Sequence, residues 1–174
     1  MEYYSLASLR RNYLWHNDIS YTDMLIRAIK IAPDNSEHMG TVTLDYDGRF
    51  QRRRVMRSNE GMSFLLDLEK TTHIQPGDSL VLEDGRRLLV IAAEENLLKV
   101  VAHDSQHLAK LAWHIGNRHL PCSVKDGHLL IRHDHVIAEM LKLLGGEVEE
   151  VSAPFDPEGG AYGHGRTHDH KHSH

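Results

Sequence analysis

From Leu97 onward the hydrophobic pattern switches between strand and helix periods in the order β-α-β-β-α-β, and that order leaves few folds open. Leu97–Ala102 is a short apolar strand. Asp104 or Ser105 can cap a helix whose Leu108, Leu111, Ala112 and Ile115 follow the i, i+3, i+4, i+7 spacing, and Gly116-Asn117 suits its left-handed end. His119–Val124 reads as a strand, Asp126-Gly127 as a tight turn, and His128–Arg132 as the returning strand. Asp134 can cap a second helix with Ile137, Met140, Leu141 and Leu144 on one face and Gly145-Gly146 at its end. Glu147–Val151 is the last strand. The arrangement expected is ferredoxin-like.

The preceding stretch reads differently. Residues 1–40 are the least informative, and Met24–Ala32 fits helix and strand templates about equally. From Thr41, Val42, Leu44 and Tyr46 alternate with polar residues, and Asp47-Gly48 signals a hairpin that returns along Phe50–Arg57. Ser58–Gly61 turns the chain before Met62–Leu68, and Ser79–Leu82 and Arg86–Ala93 flank a second hairpin at Asp84-Gly85. The fold class expected is α+β, in three parts: a small all-β domain over 1–93, the ferredoxin-like domain over 94–157, and a His-rich tail over 158–174. The tail is Gly-, His- and polar-rich without periodicity, a composition that builds no core and predicts disorder.

Composition narrows the function classes. The formal net charge of −5 gives no general attraction to nucleic acid or anionic membrane. Cys122 is the single cysteine, so no intrachain disulfide can form, which suits a reducing compartment. The N-terminus has no apolar signal region, and the longest apolar run, Leu88–Ala93, is far below the ~20 residues of a membrane span. A cytoplasmic, soluble protein is expected.

The unusual number is 15 histidines in 174 residues. His103, His107, Lys110 and His114 share one face of the first predicted helix, read as its solvent face. His119 follows that helix at the start of the next strand, whose alternation sets His119, Pro121 and Ser123 opposite Leu120, Cys122 and Val124. Cys122 is then a core thiol and not a ligand. His133 and His135 bracket the Asp134 cap. In the tail, His164 precedes the alternating His168, His170, His172 and His174, a density that suits a metal collector. A purification tag would be an uninterrupted run. No Cys-x-x-Cys or His-Glu-x-x-His occurs, so the strong zinc signatures are missing and the ligand set is imidazole with carboxylate or water. Such a set suits Ni²⁺, Cu²⁺ or Zn²⁺, bound by neutral imidazole and released as pH falls through the ~6.5 reference value of histidine.

Plainer readings stand beside these. His114 can simply favour a helix C-terminus, worth about 0.3–1 kcal/mol as a cation. His133 and His135 can be surface residues beside a cap, and His16, His38, His73 and His128 read as ordinary isolated histidines.

Leu111-Ala-Trp-His-Ile-Gly-Asn-Arg-His-Leu-Pro121, followed by Leu130-Ile-Arg-His-Asp-His-Val136, closely resembles the UreE family of urease accessory proteins. Leu141 to Gly145, the Pro154-Phe-Asp-Pro157 exit, the Gly-Gly-Ala-Tyr after it and the His-rich tail resemble it too. The likeness covers roughly residues 40–174, and residues 1–40 match poorly. The resemblance implies a nickel metallochaperone, not an enzyme, that serves assembly of the urease active site. It implies an N-terminal β domain like a chaperone peptide-binding domain and a homodimer in which His119 binds metal jointly with its symmetry mate. His114 then lies beside that site, His133 and His135 form peripheral sites, and the tail histidines add ligands. The implied partners are the urease accessory GTPase and the apo-urease complex.

Arg49, Arg52, Arg53, Arg54 and Arg57 read either as a solvated edge hairpin that resists aggregation or as a dock for an acidic partner. Two rival functions are a metal-dependent hydrolase using His114, His119, His133 and His135, which lacks a well-placed general base, and RNA binding, which lacks the stacking aromatics.

Overall fold

The computed structural model describes residues 21–33 and 37–159. The expectations for residues 1–20 and for His164, His168, His170, His172 and His174 lie outside those described residues. After a short 3-10 turn at Tyr21–Met24, six strands form the first sheet: β1 (Arg27–Pro33), β2 (Gly40–Leu44), β3 (Phe50–Arg57), β4 (Ser63–His73), β5 (Asp78–Leu82) and β6 (Arg87–Ala92). Their order is β2-β6-β5-β1-β4-β3. The helix–strand ambiguity over Met24–Ala32 resolves as strand, because β1 lies inside the sheet, parallel to β4 and antiparallel to β5. Phe64, Leu66, Leu80, Leu82, Leu88 and Val90 build its core.

Two of the expected turns form. Ser58–Gly61 joins β3 to β4, and Asp84-Gly85 joins β5 to β6 with Gly85 at φ +86°. The hairpin expected at Asp47-Gly48 does not. β2 pairs with β6 and β3 with β4, so the two strands sit at opposite ends of the sheet order. A hairpin of the primed type needs positive φ, and Gly48 has none. Instead Asp45 accepts the Gly48 N–H at 2.6 Å, and Asp47–Arg49 winds a 3-10 turn. That turn buries Arg49 completely, so Arg49 does not belong with the exposed arginines of β3.

The second sheet holds β7 (Glu94–Val101), β8 (Cys122–Lys125), β9 (His128–Arg132) and β10 (Glu147–Pro154), all antiparallel, in the order β10-β7-β9-β8. With α1 (Ser105–Gly116) and α2 (His135–Leu143) this is the ferredoxin-like βαββαβ arrangement. Both helices cover one face, where Leu98, Val100, Leu129 and Ile131 meet Leu111, Ile115 and Leu141. Both begin as the sequence predicts: Asp104 accepts the His107 N–H at 2.7 Å, and Asp134 accepts those of Val136 and Ile137.

The other face of this sheet meets the first. Leu97, Leu130 and Phe155 form a small core there, with Tyr46 packed against it. Burying Phe155 contributes about 1.5–3 kcal/mol. Arg49 donates to the Phe155 carbonyl and, at 3.1 Å, to Asp156, while Arg132 reaches Asp47 at 2.6 Å. The Tyr46 ring lies against Arg49, Arg132, His73 and Phe155. Residues 46–49 therefore serve as a junction between the sheets, which is why they do not turn back as a hairpin.

Candidate metal centre

The end of α1 sets the geometry. Leu120 N–H donates to Ile115 at 3.5 Å and His119 N–H to Gly116 at 2.9 Å, the six-to-one and five-to-two bonds of a Schellman motif. The residue after the C-cap in that motif adopts the left-handed conformation, and here it is His119, at φ +56°. Leu120 completes the motif by packing on the core that contains Ile115. The left-handed residue expected at Gly116-Asn117 thus falls further on, because the turn continues through Asn117 and Arg118. The next strand begins only at Cys122, so His119 lies in a turn and not on a strand.

The alternation expected for residues 119–124 holds at Leu120, which packs with the helix-side core, but burial does not follow it further on. Ser123 is buried and Val124 is 45% exposed. Cys122 does pack against the helix-side core. Burial, and then the charge of Glu158, push its thiol up to about 11, so it is protonated at neutral pH and poorly suited to hold metal.

His119 is exposed, and His114, on the last turn of α1, is half-buried. His114 carries the Trp113 ring edge-on at 4.9 Å, and its carbonyl accepts from Arg118 at 2.8 Å. Trp113 itself is 63% exposed.

The predicted solvent face of α1 holds only in part. His103 and Lys110 are exposed, but His107 is buried. Its Nε2 donates to the Leu144 carbonyl at 3.0 Å while its Nδ1 accepts from His103 N–H at 3.4 Å, which defines the neutral tautomer. The end of α2 covers the first turn of α1 there, and helical spacing alone does not reveal that neighbour.

His133 and His135 flank the Asp134 cap as expected, and both are exposed. His133 Nε2 lies 3.1 Å from Glu150 Oε1. Sequence reasoning missed Glu150, since only the pairing of β10 beside β7 brings it near. Among the described residues, no three of His, Cys, Asp and Glu come together to hold a metal ion. His114, His119, His133 and His135 therefore do not assemble into the single water-activating centre a hydrolase would need. No helix among the described residues is long and apolar enough to cross a membrane.

Comparison with known proteins gives the geometry its context. Residues 23–93 match the N-terminal domain, and residues 95–174 the C-terminal domain, of the UreE urease accessory protein. The likeness therefore reaches back to residue 23, further than the motifs suggested. A urease accessory protein UreE of Ruegeria pomeroyi is 53% identical over 137 residues, covering 79% of this chain and 90% of its own. That of Chelativorans sp. strain BNC1 is 47% identical over 156 residues, covering 84% and 99%. That of Rhodopseudomonas palustris strain HaA2 is 57% identical over 122 residues, which is 70% of this chain but 57% of the relative. These relatives are named as accessory proteins and not as enzymes. With both of its halves matched, the chain belongs to the UreE family of urease accessory proteins.

Proposed function

We propose that this protein is a cytoplasmic nickel chaperone that works as a homodimer, holding Ni²⁺ between the two copies of His119 and passing it on for assembly of the urease active site. The observation that carries the reading is the left-handed backbone of His119. A non-glycine residue there costs roughly 1–2 kcal/mol, and an exposed imidazole repays none of that through packing. A histidine at such a position is explained by what its side chain binds.

One imidazole per chain is too few to hold a divalent ion tightly. Two across a two-fold axis make a half-filled shell, and an isologous interface sets the same residue against itself. Exposed Trp113, beside His114, supports an apolar contact in that neighbourhood. The tail histidines His164, His168, His170, His172 and His174 complete the shell and leave it again, so that metal moves by ligand exchange. His114 lines the site, and His133 with His135 forms a peripheral one, supported by Glu150. Imidazole selects Ni²⁺ poorly over Cu²⁺ or Zn²⁺, so selectivity comes from partners and metal supply. Residues 94–157 are the metal-binding and dimerising part, and 158–174 the collector. Residues 1–93 dock the accessory GTPase and the apo-urease complex. Arg52 and Arg54, exposed on the edge strand β3 and without an acidic partner among the described residues, suit an acidic surface.

Calorimetric titration with Ni²⁺, with mass measured in solution, tests the reading. The parent chain is expected to bind one ion tightly per dimer and His119→Ala to lose it. Equal binding by the variant would sink the central site and leave only the tail.

A further inference from the structure

The residue just before the left-handed one bonds differently at the two helix ends. At the end of α2 it is Leu144, whose N–H donates to the Met140 carbonyl, four residues back, at 3.1 Å. Gly145 N–H then turns to Lys142 and Gly146 N–H to Leu141. At the end of α1 the residue in the place of Leu144 is Arg118. Its N–H donates to Ile115, three residues back, at 3.0 Å. The step before His119 is therefore wound in the tighter 3-10 manner, and the His114 carbonyl loses the backbone donor that a continuing α-helix would give it.

Arg118 supplies the missing donor from its side chain. Its Nη1 donates to the His114 carbonyl at 2.8 Å. Arg118 is exposed and has no ion-pair partner among the described residues, so its charge is turned back onto its own helix. There it meets the negative end of the helix dipole. A guanidinium standing free one residue before a cation-binding histidine would repel the ion, and docking on the helix end partly offsets its charge. We infer that Arg118 is the positioning residue of the His119 turn: its side chain stands in for the absent backbone bond and holds the left-handed imidazole in place. The functional meaning of that role rests on the reading of His119 as the shared Ni²⁺ ligand.

The turn needs such support. His119 carries the left-handed penalty that Gly145 avoids. Leu120 N–H reaches Ile115 only at 3.5 Å, against 2.9 Å for Gly146 to Leu141. Ile115 also shares its carbonyl between Leu120 and Arg118. Gly116, inside the last turn, is a poor helix former. Each of these weakens the end of α1, and the Arg118 side chain acts against them.

The test uses the full chain without metal and reads amide exchange by NMR. Arg118→Met keeps an apolar stem and removes the donor. It is expected to speed exchange of the His119 and Leu120 N–H groups about fivefold, the effect of one ordinary hydrogen bond, while Gly145 and Gly146 keep the parent rate. Arg118→Lys keeps the charge and can place a single donor on the carbonyl, so it is expected to fall between. Arg118 is exposed, so neither variant disturbs the core. Parent-rate exchange at His119 in Arg118→Met would overturn the inference, and so would equal acceleration at Gly145 and Gly146, which marks a general loss of stability. Ni²⁺ titration then follows the ion that His119→Ala loses. Arg118→Met is expected to bind it about 10-fold more weakly. Equal or tighter binding, the result for a cation that merely repels the ion, would overturn the role of Arg118 at the metal site. If His119→Ala loses no ion, the reading of His119 fails, while the exchange rates still decide the Arg118 turn.

Discussion

The two helices of the second sheet end in the same motif with different residues at its critical position. After α2, Gly145 N–H donates to Lys142 and Gly146 N–H to Leu141, both at 2.9 Å, and Gly145 takes the left-handed conformation at φ +90°. After α1 the same pair of bonds places His119 in that conformation. Glycine adopts it without a Cβ penalty, and histidine does not. One end is therefore written for stability alone. The other gives up roughly 1–2 kcal/mol to hold an imidazole out of the fold on a rigid turn. On the proposed reading of His119 as the shared ligand, the difference marks where binding was set above stability.

Substitutions at the two ends should separate those purposes. The largest effect is expected from His119→Ala, which removes the proposed central ligand and should weaken Ni²⁺ binding at least about 100-fold by calorimetry, since even supporting residues of metal sites cost 10–100-fold. Gly145→Ala should leave Ni²⁺ affinity at the parent value. Its effect is on the fold: a Cβ at φ +90° has only ordinary contact with His107, at 3.7 Å, so the cost is the backbone's, about 1–2 kcal/mol in chemical denaturation. A Gly145→Ala variant as stable as the parent would remove the contrast between the two ends.

The starts of the helices are a control, because there the two agree. Asp134→Ala should cost about 1 kcal/mol, the usual value of an N-cap, without changing the His119 site. The smallest effect is at α1. The His107 backbone N–H bonded to Asp104 holds that carboxylate below its ordinary 3.8. A depressed acid stabilises above its unfolded pKa, so this contribution is full at neutral pH and is lost as pH falls through the lowered value. Acid unfolding of Asp104→Asn should consequently show less pH dependence below about 4 than the parent.

The legibility of the chain follows the range of the interactions. The caps, the apolar stripe of α1 and the Gly85 and Gly127 turns are set by neighbours within a few residues, and the sequence displays them. Asp47-Gly48 carried a hairpin signal and forms a 3-10 turn, because Arg49 is drawn to Asp156, 107 positions away. His107 looked exposed on helical spacing, but it meets Leu144, 37 positions on. The motif singles out His119, yet the sequence places the left-handed residue at Gly116-Asn117, which is an equally good local end. Long-range packing decided the first two cases, and the third turned on which of two local ends closes the Schellman bonds.

The most direct measurement is made on His119→Gly, with thermal stability and Ni²⁺ affinity read on the same preparation. If His119 is kept in a left-handed turn for its imidazole, the variant melts about 2–4 °C higher, the shift of ~1 kcal/mol in a chain of this size, and no longer binds the ion shared between copies. A glycine variant that still binds Ni²⁺ as tightly as the parent, or one that melts lower, would contradict the account.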